Sequence, residues 1–466
     1  RHSSRVTVKT GVTQDGKLIA RDCQVYMDTG AYADAGPRVT QKAGYRALGP
    51  YRIPYAKVEA HGVYTNTVPA GAFRGFGALQ VTWAYESQMD MIADRLGIDP
   101  LEFRINNLLK KGDLYTVGDT PVDCDMEEGL RKVADAIKWN EKSAKPNRAK
   151  GLSCCIKDAG GTYKVAGATV KMSSDGSVML LTGTVEAGQG PRTALSQIVA
   201  EELAMPMDQI GVAQLDTDVT PYDISTSASS STVVMGTAVQ RASQDAKKQL
   251  LQCAAKVLKQ KADSLTVKDG QVWTSSGQSL SFSKVIVDFF GSKAGEIIGK
   301  GLYKDKRSAK AVLGSTTTFW EVGWGGVEVE VDPETGRVEL LNYVSACDAG
   351  KAINPEQCVG QDEGAVMFGI GHTLMEEMIY EDGQLLNGNL VDYRVPTFQD
   401  LPAQLHTILI ENGNGPGPFG SKGIGEGGLL PVASAIANAV SRAVGVRIQD
   451  LPLTPPKIWR AIQAKS

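Results

Sequence analysis

Apolar and polar residues alternate along many short segments of the chain, and such alternation is typical of half-buried β-strands. Several of these segments are joined by turns of the Asp-Gly type, which favour tight hairpins because both residues tolerate a positive φ. The turns lie at residues 15–16, 175–176, 269–270 and 382–383, and a longer one covers residues 332–336. The pattern therefore predicts a series of β-hairpins along the chain.

Four longer stretches carry apolar residues at a spacing of three and four positions, which predicts helices. They cover residues 79–97, 193–205, 237–260 and 430–444. Strands and helices are interleaved without the regular βαβ rhythm of a doubly wound sheet. We therefore predict an α+β fold.

The chain has 466 residues, about three times the ~150 residues of a common domain, which indicates two or three packed units. A lysine-rich polar stretch at residues 140–150 is the main candidate linker. It divides the chain into predicted units of residues 1–145 and 146–466. A weaker stretch rich in Gly, Lys and Ser predicts a subdivision of the second unit near residue 296.

Charge and cysteine content exclude several classes of protein. The 49 basic and 52 acidic residues give a net charge of −3, which argues against a nucleic-acid or polybasic membrane binder. No apolar run approaches the roughly 18 residues of a membrane span. The seven cysteines are scattered and lack cluster-binding spacing, as expected of buried thiols in a reducing compartment. We therefore expect a cytoplasmic protein without a nucleic-acid or membrane partner.

Glycine is unusually frequent and histidine nearly absent, with 51 and 4 residues respectively. So few histidines argue against a His-rich metal centre. Glycine concentrates in loops that lead into helices, where bare backbone can approach a ligand and free N–H groups can bind an anion. The glycine pattern thus points to a ligand that the backbone contacts closely.

Four Gly- or Ser-rich loops have this form. They cover residues 71–77, 186–190, 225–232 and 413–428, and the last holds eight glycines in sixteen residues. A carboxylate between glycines, such as that of Glu426, meets little steric shielding. Each loop alone is also consistent with an ordinary solvated turn, but together the four favour a polar ligand of some size.

The motifs of these loops resemble those of the molybdenum-binding subunit of the xanthine dehydrogenase / aldehyde oxidase family of molybdenum hydroxylases. The matching segments, in family order, are AFRGFG at 72–77, EAGQG at 186–190, the Ser-rich run 227–232, VGQDEG at 359–364 and KGIGEG at 422–427. The resemblance extends from residue 1 to about residue 461. It implies two large mixed α/β units with a molybdenum–molybdopterin cofactor at their interface.

The resemblance also implies roles for individual residues. Glu426 would be the general base in the oxidation of a substrate C–H bond with water-derived oxygen. Arg46 matches the arginine with which purine-oxidising members bind and polarise the heterocycle. The pterin, and no protein side chain, would hold the molybdenum. The residues implied to bind the cofactor are Gln189, Arg74, Phe76, Ser227, Ala228, Ser229, Ser231, Gln361 and Gly425.

Arg46 favours a purine- or nicotinate-like N-heteroaromatic substrate, while an aldehyde-oxidising member is the alternative. The chain begins in mid-pattern, and family subunits carry several hundred residues before this point. We therefore expect the missing part on a separate chain or absent, and [2Fe–2S] and FAD on partner chains. A non-catalytic fragment or accessory chain is the other alternative. The resemblance leaves open whether the pterin carries a cytosine dinucleotide.

Overall fold

The computed structural model describes residues 1–143, 145–161, 163–292, 295–305 and 317–465. Residue 144 of the predicted linker, residues 293–294 beside the predicted subdivision and residue 466 lie outside this set. The helices are α1 Gly36–Arg46, α2 Ala78–Leu96, α3 Pro100–Asn107, α4 Met126–Ala136, α5 Pro191–Leu203, α6 Ser231–Leu258, α7 Phe282–Phe290, α8 Pro355–Leu374, α9 Val432–Val444 and α10 Pro455–Lys465.

The strands pair into several small sheets, of which two have four strands. They are β1 Ser4–Val12, β2 Leu18–Gly30, β3 Tyr55–Tyr64, β4 Arg148–Ala159, β5 Val165–Met172, β6 Val178–Thr182, β7 Ile210–Val212, β8 Leu265–Lys268, β9 Gln271–Thr274, β10 Ser279–Ser281, β11 Ile297–Lys304, β12 Phe319–Val331, β13 Val338–Asp348, β14 Tyr380–Glu381, β15 Gln384–Leu385 and β16 Leu405–Ile410.

The predicted turn chemistry is confirmed at all five positions. Antiparallel hairpins join β1 to β2, β5 to β6, β8 to β9, β12 to β13 and β14 to β15. Helices α2, α5 and α9 confirm three of the predicted helices to within two residues. The mixed α/β character expected from the interleaved pattern is therefore present.

Two helices differ from the sequence expectation. Helix α6 begins at Ser231, six residues before the predicted start, because buried Val233, Val234 and Met235 extend its apolar face by a turn. Helix α8 was not predicted at all. It contains four glycines and buries polar as well as apolar residues, so it lacks the one-sided apolar stripe that marks a surface helix.

The central sheet has the strand order β16-β13-β12-β4 and is covered on both faces. On one face lies α4, where the Trp324 indole N–H donates to the Met126 carbonyl at 2.9 Å. On the other lies α9, which approaches β4 closely because Gly151 has no side chain to meet Ala435. Coverage of both faces explains why β4 is buried without a break from Gly151 to Ala159.

A second hydrophobic core lies in the chain segment between β4 and β12. There the sheet β11-β5-β6-β7 packs against the long helix α6. The largest core runs instead from β2 and α2 through α4 into β4, β12 and β13, so it includes residues on both sides of position 145. The division at residue 145 stays a prediction.

A buried ion-pair network ties the helix behind loop 71–77 to the central sheet. Arg104 on α3 contacts Glu86 and Asp90 on α2, each at 2.8 Å, and all three side chains are fully buried. Glu86 also accepts the backbone N–H of Cys154 on β4 at 3.2 Å, and Arg442 on α9 contacts Asp90 at 2.5 Å. The network thereby fixes α2, α3, β4 and α9 relative to one another.

The expectation that no apolar run approaches membrane-spanning length is wrong for one segment among the described residues, Gly427–Val444, which has 18 residues and a mean hydropathy of 1.2. However, 83% of it is buried inside the protein. It is therefore a core element, consisting mostly of helix α9.

We predict that Arg104→Met lowers the free energy of unfolding by about 3–5 kcal/mol, because buried Glu86 loses its counter-charge and buried Asp90 loses one of its cationic partners. Lys132→Met serves as the control, since Lys132 forms an exposed ion pair with Glu128 and its loss costs less than about 1 kcal/mol. Denaturant unfolding of the purified protein checks both values. Equal losses in the two variants would contradict the assigned role of the network.

Candidate active site

The two loops that were predicted to carry Arg74 and Glu426 contact each other directly. Arg74 Nε donates to the Gly425 carbonyl at 2.5 Å, and Arg74 Nη2 donates to the backbone carbonyl of Gln361 at 3.0 Å. The Gly75 N–H donates to Glu426 Oε1 at 2.9 Å. The structure thus brings together loop 71–77, the start of α8 and the glycine loop 420–428.

A buried lysine anchors the glycine loop from behind. Lys422 is fully buried, and its Nζ lies 2.8 Å from Asp348 Oδ2 and 3.0 Å from Asp123 Oδ1. A buried ammonium needs such compensation. Lys422 therefore holds the loop to the end of β13.

The Glu426 carboxylate is held on both of its oxygens. Besides the Gly75 contact on Oε1, Lys157 Nζ lies 2.7 Å from Oε2, and the Ser229 hydroxyl lies 3.5 Å from the same atom. The side chain is 15% exposed. It is therefore fixed in direction and shielded from most water, but accessible from outside. The opening at this carboxylate, between loop 71–77, the Ser-rich loop and loop 420–428, is called the cleft below.

Lys157 itself lies between two carboxylates. It is fully buried on β4 and contacts Glu321 Oε2 at 2.8 Å, directly across the antiparallel pairing of β4 with β12. The other oxygen of Glu321 accepts the N–H groups of Glu426 and Gly427, each at 2.7 Å. Glu321 thus binds both the lysine and the backbone that carries Glu426.

Burial alone would raise the pKa of Glu426, because it penalises the charged form. The Lys157 ammonium, the Gly75 N–H and the Arg46 guanidinium outweigh burial and bring the pKa of Glu426 below its usual value. Burial likewise opposes the charge on Lys157, but Glu321 and Glu426 raise its pKa. Glu426 is therefore ionised at neutral pH and can accept a proton.

Arg46 lies beside this group but makes four hydrogen bonds of its own. Its Nε contacts Asp158 Oδ1 at 2.7 Å, and the other bonds reach the carbonyls of Gly75, Phe76 and Asp158. The side chain is only 5% exposed. Arg46 therefore fixes loop 71–77 against β4. If it contacts a substrate, it does so while bound to Asp158, Gly75 and Phe76.

The Ser-rich loop lies on the other side of Glu426. Ala228 and Ser229 have φ values of 54° and 53°, so both lie in the left-handed region. This turn presses the Ser229 carbonyl against Gly423, where a Cβ would come within 1.7 Å of the oxygen. Lys164 Nζ contacts the Ser227 hydroxyl at 2.7 Å, which adds a positive charge at the start of α6.

Gln189 and Ser231 lie further out and do not contact Glu426. Gln189 Nε2 donates to the Val185 carbonyl at 2.8 Å, and its Oε1 accepts the Ala187 N–H at 2.8 Å. Both Gln189 and Ser231 approach the Thr226 hydroxyl, at 3.4 and 3.3 Å. Thr226 therefore connects loop 186–190 to the Ser-rich loop.

Phe76 and Gln361 complete the predicted set. Phe76 is half-buried against the main core and has a φ of 45°. Gln361 is also half-buried, and within the described part of the chain only its backbone carbonyl, bound by Arg74, forms a hydrogen bond toward the site. Its side-chain amide is thus available to a ligand.

These loops fit a large polar organic ligand better than a bare metal ion. Among the residues that the structure describes, no group of three or more His, Cys, Asp or Glu side chains is arranged to hold a metal. A Cβ on Gly188, Gly360 or Gly364 would meet nothing within 4 Å, so bare backbone faces open space beside Gln189 and Gln361. Amides, hydroxyls and N–H groups at helix starts suit a pterin with its phosphate.

Lys157, Asp158 and Glu321 were not among the predicted site residues. The sequence does carry a signal for them, since they are the charged residues within the buried stretches 151–159 of β4 and 319–327 of β12. A charge inside such a run is rarely tolerated unless it is paired. Their partners were not readable from one strand, because the pairing depends on the register between β4 and β12.

Two family profiles match the chain, and both are described as a molybdopterin cofactor-binding domain. They cover residues 1–108 and residues 128–402. The chain is 33% identical over 479 residues to the xanthine dehydrogenase molybdenum-binding subunit of Escherichia coli O157:H7, covering 98% of this chain and 62% of that subunit. It therefore spans less than two thirds of that relative's length.

A second relative is the gamma subunit of the 6-hydroxypseudooxynicotine dehydrogenase complex of Paenarthrobacter nicotinovorans. It is 32% identical, and the match covers 96% of this chain and 59% of that subunit. Among solved structures, quinoline 2-oxidoreductase from Pseudomonas putida 86 superposes with a TM-score of 0.85 at 24% identity, covering 99% of this chain and 62% of that one. The chain therefore belongs to the molybdopterin cofactor-binding domain family.

Proposed function

We propose that the chain is the base-bearing part of a molybdenum hydroxylase that oxidises a C–H bond of an N-heteroaromatic substrate. The observation that carries the proposal is the state of Glu426. Its carboxylate is ionised, fixed on both oxygens and 15% exposed at the junction of the predicted cofactor loops. A general base needs this combination of charge, direction and access.

The chain's own residues would hold the cofactor through three loops and helix α8. Arg74 and Gln361 would contact the pterin, and Gln189 would lie beside it. Ser227, Ala228, Ser229 and Ser231 would hold its phosphate end, supported by Lys164, which contacts Ser227. When bound, the molybdenum–pterin group supplies water-derived oxygen and accepts two electrons. A cytosine dinucleotide form of the pterin would need additional room next to the Ser-rich loop, beyond the phosphate.

In this proposal Glu426 accepts the proton released during oxidation. The low hydration of the Glu426 carboxylate strengthens the electrostatic interactions of its oxygens. Gly75 and Lys157 keep this carboxylate directed toward the cleft. Phe76 would line the approach for a flat substrate ring. Glu426 is the group that accepts a proton, and Gly75, Lys157 and Phe76 act by holding their positions.

The proposed substrate class follows from Arg46 and from the relatives. Arg46 lies close enough to Glu426 to lower its pKa, so a ring nitrogen bound beside that carboxylate would also lie near the guanidinium. The names of the two relatives refer to xanthine and to 6-hydroxypseudooxynicotine, both of which contain a nitrogen heterocycle. An aldehyde substrate is the competing class, and the Arg46 variant below distinguishes the two.

We further propose that the chain works within a cytoplasmic complex. The second relative is named as a subunit of a complex, and all seven cysteines here are free thiols, six of them buried. Electrons would pass to [2Fe–2S] and FAD groups on partner chains. The part of the molybdenum subunit that the relatives have in addition would complete the cleft.

We predict that Glu426→Gln lowers kcat by about 10²–10⁴-fold, because it removes the general base. Gln is similar in size, so molybdenum content should stay at the level of the parent complex. Steady-state kinetics and metal analysis of the purified complex check this prediction. Full activity in the variant would refute the base assignment, and absence of molybdenum from the parent would favour a non-catalytic accessory chain.

Arg46→Gln should lower kcat/KM for an N-heteroaromatic substrate by about 10–100-fold, the cost of one charged hydrogen bond. For an aromatic aldehyde the loss should be smaller, because it then reflects only the weakened hold on loop 71–77 and includes no lost contact with a ring nitrogen. Parallel assays with both substrates give the comparison. Equal losses would assign Arg46 a role in holding loop 71–77 alone.

A further inference from the structure

We propose that the Glu321–Lys157 ion pair is a positioning unit that holds Glu426 ionised and aimed into the cleft. The proposal rests on the function proposed for Glu426. It is carried by one arrangement: a fully buried ammonium shared by two carboxylates, one of which also binds the backbone N–H groups of Glu426 and Gly427. The unit thereby controls both the charge and the placement of the base.

The arrangement follows from the register of the central sheet. Residues on one face of a strand alternate, so Gly151, Ser153, Cys155 and Lys157 lie on the face of β4 that α9 covers. Ser153 contacts Ser434 on α9, and the Cys155 thiol lies 3.8 Å from the Gly427 carbonyl. Small residues therefore fill this face until Lys157, whose long side chain reaches Glu426 near the end of the glycine loop.

Burial makes the lysine costly to keep without two partners. A buried ammonium with a single carboxylate is neutral as a pair, but its remaining N–H groups need acceptors. The Lys157 ammonium lies 2.8 Å from Glu321 Oε2 and 2.7 Å from Glu426 Oε2 as ion pairs, and it donates a hydrogen bond to the Asp158 carbonyl at 3.3 Å. Lys157, Glu321 and Glu426 together then carry one net negative charge, and of the two carboxylates Glu426 is the more exposed, at 15% against 1%.

The surrounding charges are compatible with this assignment. Arg46 and Arg74 add positive charge near Glu426, and Asp158 is already bound by Arg46. Asp362 on α8 lies behind Gly428, where its Oδ1 would contact a Cβ. The charged groups that face Glu426 from the packed elements are Lys157 and Asp158 on β4, Glu321 on β12, Arg46 on α1, Arg74 in loop 71–77 and Asp362 on α8.

The experiment replaces the charges one at a time in the complete complex. Lys157→Met removes the ammonium between Glu426 and Glu321 and leaves only the Arg46 charge and the Gly75 N–H to favour the ionised form, so protonation of Glu426 should occur about 1–3 pH units higher. The acidic limb of kcat/KM should move by the same amount, with activity recovering at high pH. Adding Glu321→Gln to this variant removes the like charge and should move the limb back toward lower pH.

A second readout does not depend on turnover. Complex produced in a host that cannot make the pterin can be titrated by infrared difference spectroscopy, with the carboxyl band of Glu426 identified by its absence in Glu426→Gln. The band should appear at higher pH in Lys157→Met and at an intermediate pH in the double variant. A band that titrates at the parental pH in both would overturn the proposal, whatever the activity of the loaded complex.

Glu330→Gln is the matched control, because Glu330 lies on the same strand β12 but pairs with Lys145 and Arg148. It should leave the Glu426 titration unchanged. If Lys157→Met fails to fold, Glu321→Gln alone decides, since its amide oxygen can still accept the N–H groups of Glu426 and Gly427. That variant should move the Glu426 band to lower pH, and an unchanged or higher value would refute the charge coupling.

Discussion

The requirement that a buried ammonium be compensated organises the centre of this molecule. Lys157 is fully buried, so desolvation of its charge must be offset by nearby carboxylates. Those carboxylates come from a neighbouring strand and from the glycine loop, and the loop is held in turn by Gly75 and Arg74. Four segments distant in sequence are therefore fixed around one charge. The Arg104 network repeats this principle behind the site, where it fixes α2 to β4.

The Arg104 network and the Lys157 contacts determine different properties of the Glu426 site. The Arg104 network sets where helix α2, and hence loop 71–77, lies against the sheet. The Lys157 contacts then determine the direction and ionisation of Glu426 within that frame. A flexible loop rich in glycine gains a fixed geometry in this way, because its polar backbone groups bind charged side chains that cannot move. Low hydration at the carboxylate follows from the same packing.

Local chemistry allowed much of the fold to be predicted. Asp-Gly turns fixed the hairpins, and the apolar spacing identified α2, α5 and α9, since both signals depend only on neighbouring residues. Helix α8 was not predicted from the sequence, because it buries polar as well as apolar residues and lacks a one-sided apolar stripe. At the site, motif resemblance pointed to Glu426, Arg74 and Ser229, which the structure brings together. The Glu321–Lys157 pair was missed because cross-strand register is a long-range property.

The junction between Gly423 and the Ser229 carbonyl has a consequence for how this site can change. At that point two polypeptide backbones touch with no side chain between them. Substitutions of neighbouring residues can alter charge, size or polarity around the cleft, yet they leave the spacing of the two main chains as it is. Sequence variation can thus diversify what enters the cleft while the distance between its walls stays constant. The backbone of the site is therefore a fixed frame, and the side chains around it are the part that can differ.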